Sequence, residues 1–360
     1  MIYYNLADQG FKSSSRASLG VYNLSLQLGV HLAKELSCTY LINSDHNEMQ
    51  QVPCSQVKEV RGGVGGIRRI LWDQWRLFSS VKTDTSDWIF LPKGFSSFVR
   101  KPPCRLAVYI HDVVYDYWRS SYPGYRSPLL HAYFDWSLRA SLRNADIIFT
   151  NSAFTRDELV RIAENKRIKR IAPIVKAGIG FDHLKSSDGE DEKSGILIYV
   201  SAWPHKATAS LIKMVERWQA ESRFSDPIYF LGTLPAEVEM ATFSNWKIMQ
   251  TLPEEAYRNL LKKVRCTIFN SEYEGFGMPP GESLLQGAVP VYSSISATEE
   301  VMNGMGFSYE NNVYESFSVA MNSALNVSRS QIEQWKKAFM MQHNWAKVIH
   351  TIKQAMADGI

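Results

Sequence analysis

The feature that most constrains the fold is an alternation that runs, stops and restarts. Short apolar runs of strand type occur at Ile2–Leu6, Cys38–Ile42, Trp88–Leu91, Leu106–Ile110, Ile147–Thr150 and Arg170–Val175. Between them lie stretches with helical spacing of apolar residues. One is opened by Gly20 and runs through Val21, Leu24, Leu28 and Leu32; others span Ile67–Phe78, Leu129–Leu142 and Ala153–Ala163, the last capped by Asn151-Ser152. The alternation then halts at Lys185–Ser194, KSSDGEDEKS, a polar segment with no apolar residue. It resumes with strands at Ile196–Ser201, Ile228–Leu231 and Cys266–Phe269 and helices at Ser210–Gln219, Pro253–Lys263 and Trp345–Met356. Strands that alternate with helices build parallel sheets covered on both faces. The pattern predicts two doubly wound α/β domains, residues 1–184 and 195 onward, joined by a linker at 185–194. Ligands of such sheets bind at the carboxyl ends of strands, so a cleft between the domains is the expected site.

Composition agrees and removes several function classes. A chain of 360 residues with 45% apolar content can bury two medium cores. The net charge of +4 is too mild to argue for nucleic acid. Cys38, Cys54, Cys104 and Cys266 are scattered, without zinc spacing, and read as reduced thiols. The N-terminus MIYYNLADQGFK lacks a basic and then apolar leader pattern, and no run reaches the length of a membrane span, so a cytoplasmic protein is expected. Gly62–Gly66 is not a phosphate loop, because no Lys-Ser/Thr follows it; it reads as a flexible turn before the next helix.

The stretch Ser271–Val291, SEYEGFGMPPGESLLQGAVPV, carries the chemistry. Glu274 and Glu282 flank the glycine- and proline-rich turn Gly275–Gly281, and a helix-like apolar run follows. A tight loop feeding a helix N-terminus offers N–H groups and a positive helix end to an anion. The flanking carboxylates can accept hydrogen bonds from hydroxyls. An anion beside several hydroxyls describes a nucleotide sugar.

With these residues in place, the chain resembles a two-domain glycosyltransferase of the GT-B fold, specifically glycosyltransferase family 4. Ile110-His111-Asp112 is similar to that family's "HD" strand end, and Ala145–Ser152 with Phe154-Thr155 to its "AD.ii.nS.ft" segment. Ala177-Gly178-Ile179 stands where the family closes its first domain; Tyr199–Lys206, YVSAWPHK, resembles the donor loop of the second. Ser271–Val291 resembles the Glu-x7-Glu donor signature, Glu300-Val301 a following loop, and Trp345 the aromatic that opens a helix, 343–360, crossing back to the first domain, so that the second domain spans 195–342. The chain departs from the pattern in three places, one being the stretch Glu282–Pro290, which is one residue longer than the commonest form. Ser201–Pro204 lacks the Arg that commonly precedes the donor-loop Lys, leaving His205 or an arginine from elsewhere as the substitute, and the first loop lacks a double glycine.

The resemblance implies roles. Lys206 would stabilise the charge that builds on a departing diphosphate, Glu274 would accept from the transferred sugar, and His111 would lie over that sugar; these three are the implied catalytic residues. Donor binding would add Ser201, His205, Gly275, Phe276, Gly277, Met278 and Glu282, the last on the ribose diol. Gly20, Arg16 and Asp112 would line the acceptor side. The alternatives are a first-turn glutamate at Glu282, an ordinary surface lysine at Lys206, and a structural His111–Asp112 pair. The implied activity is retaining, metal-independent hexosyl transfer from a nucleotide diphosphate sugar, a co-substrate rather than a resident cofactor, to a glycan or lipid-linked acceptor in bacterial surface polysaccharide synthesis. The alternative is a catalytically silent nucleotide-sugar-binding subunit. Peripheral contact with the inner membrane is a further expectation, through Lys166-Arg167, Lys169-Arg170 and the aromatic–basic stretch Trp118–Arg126.

Overall fold

The structure, a computed structural model, describes residues 1–8, 19–43, 56–63, 66–184, 193–238 and 243–358. Arg16, Cys54 and the expected linker up to residue 192 lie outside the described residues. The chain forms two compact units, Met1–Gly180 with Asn344–Ile360, and Phe181–His343.

The first unit is built on strands β1 (Ile2–Asn5), β2 (Cys38–Asn43), β3 (Gln56–Val60), β4 (Trp88–Leu91), β5 (Arg105–Ile110), β6 (Ile147–Thr150) and β7 (Ile174–Lys176). They form one parallel sheet in the order β3-β2-β1-β4-β5-β6-β7. The second unit repeats the plan with β8 (Ile196–Val200), β9 (Ile228–Gly232), β10 (Trp246–Met249), β11 (Cys266–Phe269), β12 (Val289–Ser293) and β13 (Phe307–Tyr309), in the order β10-β9-β8-β11-β12-β13. The expected two doubly wound α/β units are therefore present. Central strands such as β2, β4 and β11 are buried at every residue, because helices cover both faces of the sheet and none of their residues points to water.

The strands that the sequence reading missed have physical reasons. β3, QVKEV, and β10, WKIM, are sheet edges with much of their surface exposed, so they carry no continuous apolar run. β12 contains Pro290, a residue that ordinarily argues against a central strand. The Val289 N–H donates to the Arg265 carbonyl at 2.9 Å, so the next residue's nitrogen faces β13, and pairing with β13 begins only at Val291. The proline thus occupies a position where no ladder donor is required. β7 starts at Ile174, four residues later than the apolar run Arg170–Val175 suggests.

Trp345 opens the final helix, Trp345–Ala357, behind the N-cap Asn344, whose side chain accepts from the Lys347 N–H. The helix packs on Leu19–Glu35 within the first unit, with the Trp345 indole stacked on His31 at 5.2 Å. Gly180 lies so close beneath it that a Cβ there would stand 2.4 Å from the Trp345 nitrogen. Phe181, the next residue, instead packs against Phe276 and Phe339 of the second unit, which is why the units divide at that bond.

Candidate functional site

In both sheets the strand order reverses at one place: between β1 and β4, and between β8 and β11. Crossovers leave the two strands at such a point in opposite directions, so their carboxyl-end loops part and leave a crevice. In the second unit those loops are residues 201–207 and 270–277. They are the segments that carry Lys206 and Glu274.

The loop after β8 is tied down by its own backbone and side chains. Thr208 Oγ1 donates to the Ser201 carbonyl at 2.7 Å and accepts from the Ser201 N–H at 3.1 Å, while Ser201 Oγ accepts from the Trp203 N–H at 3.2 Å. Pro204–Lys206 make one 3-10 turn, and Ala207 then takes a left-handed conformation, φ 44°, before the helix Thr208–Ser222. A left-handed alanine costs roughly 1–2 kcal/mol. It is held by the Ala207 N–H on Pro204 O and by Asn270, whose Nδ2 donates to the carbonyls of Lys206 and Ala207 at 2.9 and 3.3 Å. Tyr309 orients that amide by donating to its Oδ1 at 2.7 Å. The strained turn aims Lys206 across the crevice: its ammonium is ion-paired with the Glu274 carboxylate and lies 4.9 Å from the Phe269 ring centroid.

His205 does not replace the missing arginine charge. Its side chain is buried, and burial, reinforced by the neighbouring Lys206 charge, pushes its pKa down to about 2, so the ring is neutral at physiological pH. Its carbonyl instead anchors the second loop, accepting from the Glu272 N–H at 2.6 Å and from Ser271 Oγ at 3.3 Å.

The loop after β11 ends in Gly277, φ 77°, directly before the helix Met278–Leu285. Glycine is required there twice over: by the positive φ, and because a Cβ would approach Thr298 Oγ1 to 2.4 Å. Gly275, Phe276 and Gly277 are buried, and the Phe276 ring stacks with Phe181 at 5.9 Å. Pro279 and Pro280 have no N–H, so two of the four unpaired N–H groups at this helix start are absent and Gly277 and Met278 keep theirs.

Glu282 is the end of a hydrogen-bonded chain that the sequence reading did not find. Tyr257, from the helix Glu254–Lys263, donates to Glu282 Oε2 at 2.9 Å. The Tyr257 hydroxyl in turn meets the Tyr199 hydroxyl of β8 at 2.8 Å, and Tyr199 lies 3.2 Å from Ser283 Oγ. Burial raises the Glu282 pKa above the ordinary carboxylate range, with the Tyr257 O–H opposing the rise. Glu282 is therefore built into this chain of hydroxyls, beyond being a first-turn residue.

In the first unit, the strand ends at the reversal carry a second polar cluster. His111 follows β5 and is buried; its Nε2 lies 2.8 Å from the Pro92 carbonyl, which can only accept, so Nε2 carries the proton. Nδ1 is then a buried acceptor with no hydrogen-bond partner among the described residues, and burial pushes the pKa down to about 4. His111 is thus a neutral ring offering a lone pair, and its bonded partner is Pro92. Asp112 Oδ1 accepts from the Val114 N–H at 3.1 Å and starts the helix Val114–Ser121. Beside them Arg69 bridges two acids, Nη2 to Asp8 Oδ2 at 3.7 Å and Nε to Asp73 Oδ2 at 3.3 Å, with the Tyr133 hydroxyl on Asp73 at 3.1 Å. Burial holds the Asp73 carboxyl above the ordinary range, opposed by Arg69. None of Arg69, Asp8, Asp73 and Tyr133 was singled out by sequence, because Asp8, the run holding Arg69 and Asp73, and Tyr133 come from elements far apart in the chain. Gly20 lies in the first turn of the helix Leu19–Glu35, and among the described residues a Cβ there would meet no atom within 4 Å.

Among the described residues, no three His, Cys, Asp or Glu side chains cluster to hold a metal ion. The stretch expected to rest on lipid faces inward in part. Trp118 is buried and Arg126 lies over its ring, Arg119 is paired with Asp116, and Lys166 with Asp135.

No family model matches the chain. Over 223 residues it is 26% identical to the O-antigen chain mannosyltransferase B of Escherichia coli, and this match spans 57% of each protein. Among solved structures, the sucrose-phosphate synthase of Thermosynechococcus elongatus aligns over 99% of this chain and 98% of its own, with a TM-score of 0.70 at 13% identity. The chain has the GT-B glycosyltransferase fold. A trehalose-6-phosphate protein of Escherichia coli bound with UDP-2-fluoro glucose shares this GT-B arrangement at a TM-score of 0.67 and 8% identity, over 99% and 98% of the two chains. A UDP-forming α,α-trehalose-phosphate synthase of Burkholderia xenovorans does so at 0.63 and 11% identity, again over 99% and 98%.

Proposed function

We propose that the protein is a retaining glycosyltransferase that uses a nucleotide diphosphate sugar as donor. The observation that carries this reading is the Lys206–Glu274 pair, placed at the strand-order reversal of the second unit beside the Gly277 turn and Glu282. A cation and a hydroxyl-accepting carboxylate at one helix entrance match a diphosphate bonded to a sugar. The glycosyltransferase fold and the identity to an O-antigen chain mannosyltransferase support the same class of chemistry.

In this reading Lys206, with the Gly277 and Met278 N–H groups, holds the diphosphate and stabilises its growing charge as the bond to the sugar breaks. Metal is not needed, because Lys206 supplies the positive charge. Glu282, held by Tyr257, accepts from the ribose diol, and Glu274 accepts from the sugar. In the first unit, the neutral His111 offers Nδ1 as an acceptor for a sugar hydroxyl. The bond from the anomeric carbon to the phosphate oxygen breaks while a bond to the acceptor oxygen forms on the same face. The acceptor's proton passes to the departing phosphate, giving a nucleoside diphosphate and a glycoside. The acceptor is a glycan or lipid-linked glycan, the donor sugar a hexose, with mannose favoured by the curated relative, and the product a bacterial surface polysaccharide.

Thermal stability measured against a panel of nucleotide diphosphate sugars tests the donor claim, because a ligand of the native state alone raises apparent stability. One donor stabilising the parent, and failing to stabilise Lys206→Ala, supports it. Product analysis by mass spectrometry with that donor then separates transfer from simple binding: binding without any glycoside product would favour a silent subunit.

A further inference from the structure

Three segments of the first unit come together at the surface: the helical run from Gly66 to Ser79, the loop 92–101 and the helix Pro128–Asn144. Ser97 Oγ donates to the Gln74 carbonyl at 2.9 Å, the Phe98 N–H donates to Gln74 Oε1 at 2.9 Å, and the Phe98 ring meets Trp136 edge-on at 5.5 Å. The first of the three is interrupted by a π turn, Trp72–Arg76, which buries Trp72 and leaves Trp75 and Arg76 outside. π turns of this kind are frequent where a helix face is put to use.

The surface so formed is unusually apolar. Ile67 is 76% exposed, Trp75 44% and Trp136 56%, with Leu71 and Phe98 also exposed. Scattered exposed apolar residues need no explanation, but a contiguous group from three joined segments does. Its charge is one-sided. Arg61, Arg76 and Arg100 line a cleft of about 380 Å³ with Trp72, Trp75 and Ser79, and Arg68 and Lys101 are exposed nearby. Of the carboxylates close in sequence, Asp73 is turned to Arg69 and Tyr133, which leaves the exposed Glu59, two residues before Arg61, against five cations. Among the described residues none of these five cations is ion-paired with a carboxylate.

We propose that this face of the first unit docks on an anionic phospholipid bilayer, with a lipid phosphate seated among Arg61, Arg76 and Arg100 and the surrounding apolar side chains at headgroup depth. Arginines recognise phosphate through paired N–H donors, and tryptophan rings favour the membrane–water boundary. A basic cleft inside an apolar face supplies both signals that stable peripheral binding requires. The surface differs from the one expected from sequence, and it carries no residue assigned to donor or acceptor.

The test is co-sedimentation of the full chain with vesicles of phosphatidylcholine alone and of phosphatidylcholine mixed with phosphatidylglycerol, at low and high salt. Binding is expected only to the mixed vesicles and should weaken with salt. Arg61→Glu with Arg76→Glu should lower that binding about tenfold or more, and Arg68→Glu with Lys101→Glu, at exposed positions, should lower it by a smaller factor. Trp75→Ser should remove the binding that persists at high salt. Unchanged melting temperatures show that the variants fold. Equal binding to both vesicle types, or charge-reversed variants that bind like the parent, would overturn the proposal. So would a dimer in light scattering that Trp75→Ser dissolves while vesicles are ignored, which makes the face a self-interface. Stabilisation by inorganic phosphate without vesicle binding would also overturn it, leaving a soluble phosphate ligand.

Discussion

The two crevices at the strand-order reversals solve the problem of holding charge in different ways. In the second unit the ionisable groups are few: one ion pair, Lys206 with Glu274, and the separate carboxylate of Glu282, on segments fixed by neutral neighbours. Lys206 rides on a turn latched by Asn270 and Tyr309, and Glu282 ends a chain through Tyr257 and Tyr199. In the first unit the charges hold one another: Arg69 lies between Asp8 and Asp73, with Lys93 near enough for burial and Arg69 to lower its pKa. The first arrangement leaves a cation and two carboxylates facing one short glycine-rich turn, a site for an anion with hydroxyls. The second is self-compensated and offers hydrogen-bonding edges, such as the open Nδ1 of His111, rather than net charge. Position in the fold is the same; the chemistry differs because neutral neighbours prop the second unit's one ion pair and its further carboxylate, whereas the first unit's cluster is held by its own charges.

The largest expected effect breaks the second unit's arrangement at its cation. Lys206→Ala should reduce sugar transfer by about 10²–10³-fold, the usual cost of losing one preorganised charge-stabilising group, with the melting temperature little changed. A loss below about threefold, measured by product formation at saturating donor, would place the stabilising charge elsewhere. Next comes the turn itself. Gly277→Ala combines a positive φ with a Cβ that meets Thr298 Oγ1 at 2.4 Å, and should cost about 1–3 kcal/mol in denaturant unfolding. Thr298→Ala added to it should return part of the loss, which separates the clash from the backbone strain.

The self-compensated cluster gives a smaller, pH-dependent effect. The Asp73 carboxyl is raised above its ordinary value of 3.8 in the folded protein, so between that value and neutrality the native state binds more protons than the unfolded chain. Stability from this group is therefore highest at the acid end of the window and falls as pH rises through it. The stability difference between parent and Asp73→Asn should decline by on the order of 1 kcal/mol from about pH 4 to pH 7. A flat difference would mean that Arg69 fully offsets the burial. The smallest effect sharpens the role of Glu282. Tyr257→Phe removes one hydrogen bond to the carboxylate, worth about 1 kcal/mol, and should raise the Glu282 pKa further. Donor affinity, measured by titration calorimetry, should then fall off at a higher pH in the variant than in the parent as the medium is acidified.

Much of the fold was legible because central strands of a covered parallel sheet are apolar throughout, as in WIFL of β4 and CTIF of β11. β3 and β10 were not, because edge strands face water and look like loop. The candidate donor residues were legible for a related reason: they lie on two short segments, each local in sequence. Tyr199, Tyr257 and Asn270 were not, since a tyrosine or an asparagine in a strand or helix gives no local sign of the partner it will meet. The expected positive substitute at His205 failed because burial, which sequence does not report at a loop residue, keeps that ring neutral.

The sequence by itself determined the two α/β units, the glycine-rich turn between two glutamates and the residue types able to hold a nucleotide sugar. Periodicity and loop chemistry are local, and local information survives in a string of letters. Only the tertiary structure decided which charges are compensated: that Arg69 joins Asp8 to Asp73, that Tyr257 props Glu282, and that Trp75 and three arginines share one open face. Those facts depend on distances between elements tens of residues apart, and electrostatic energy is set by such distances and by burial, not by order along the chain.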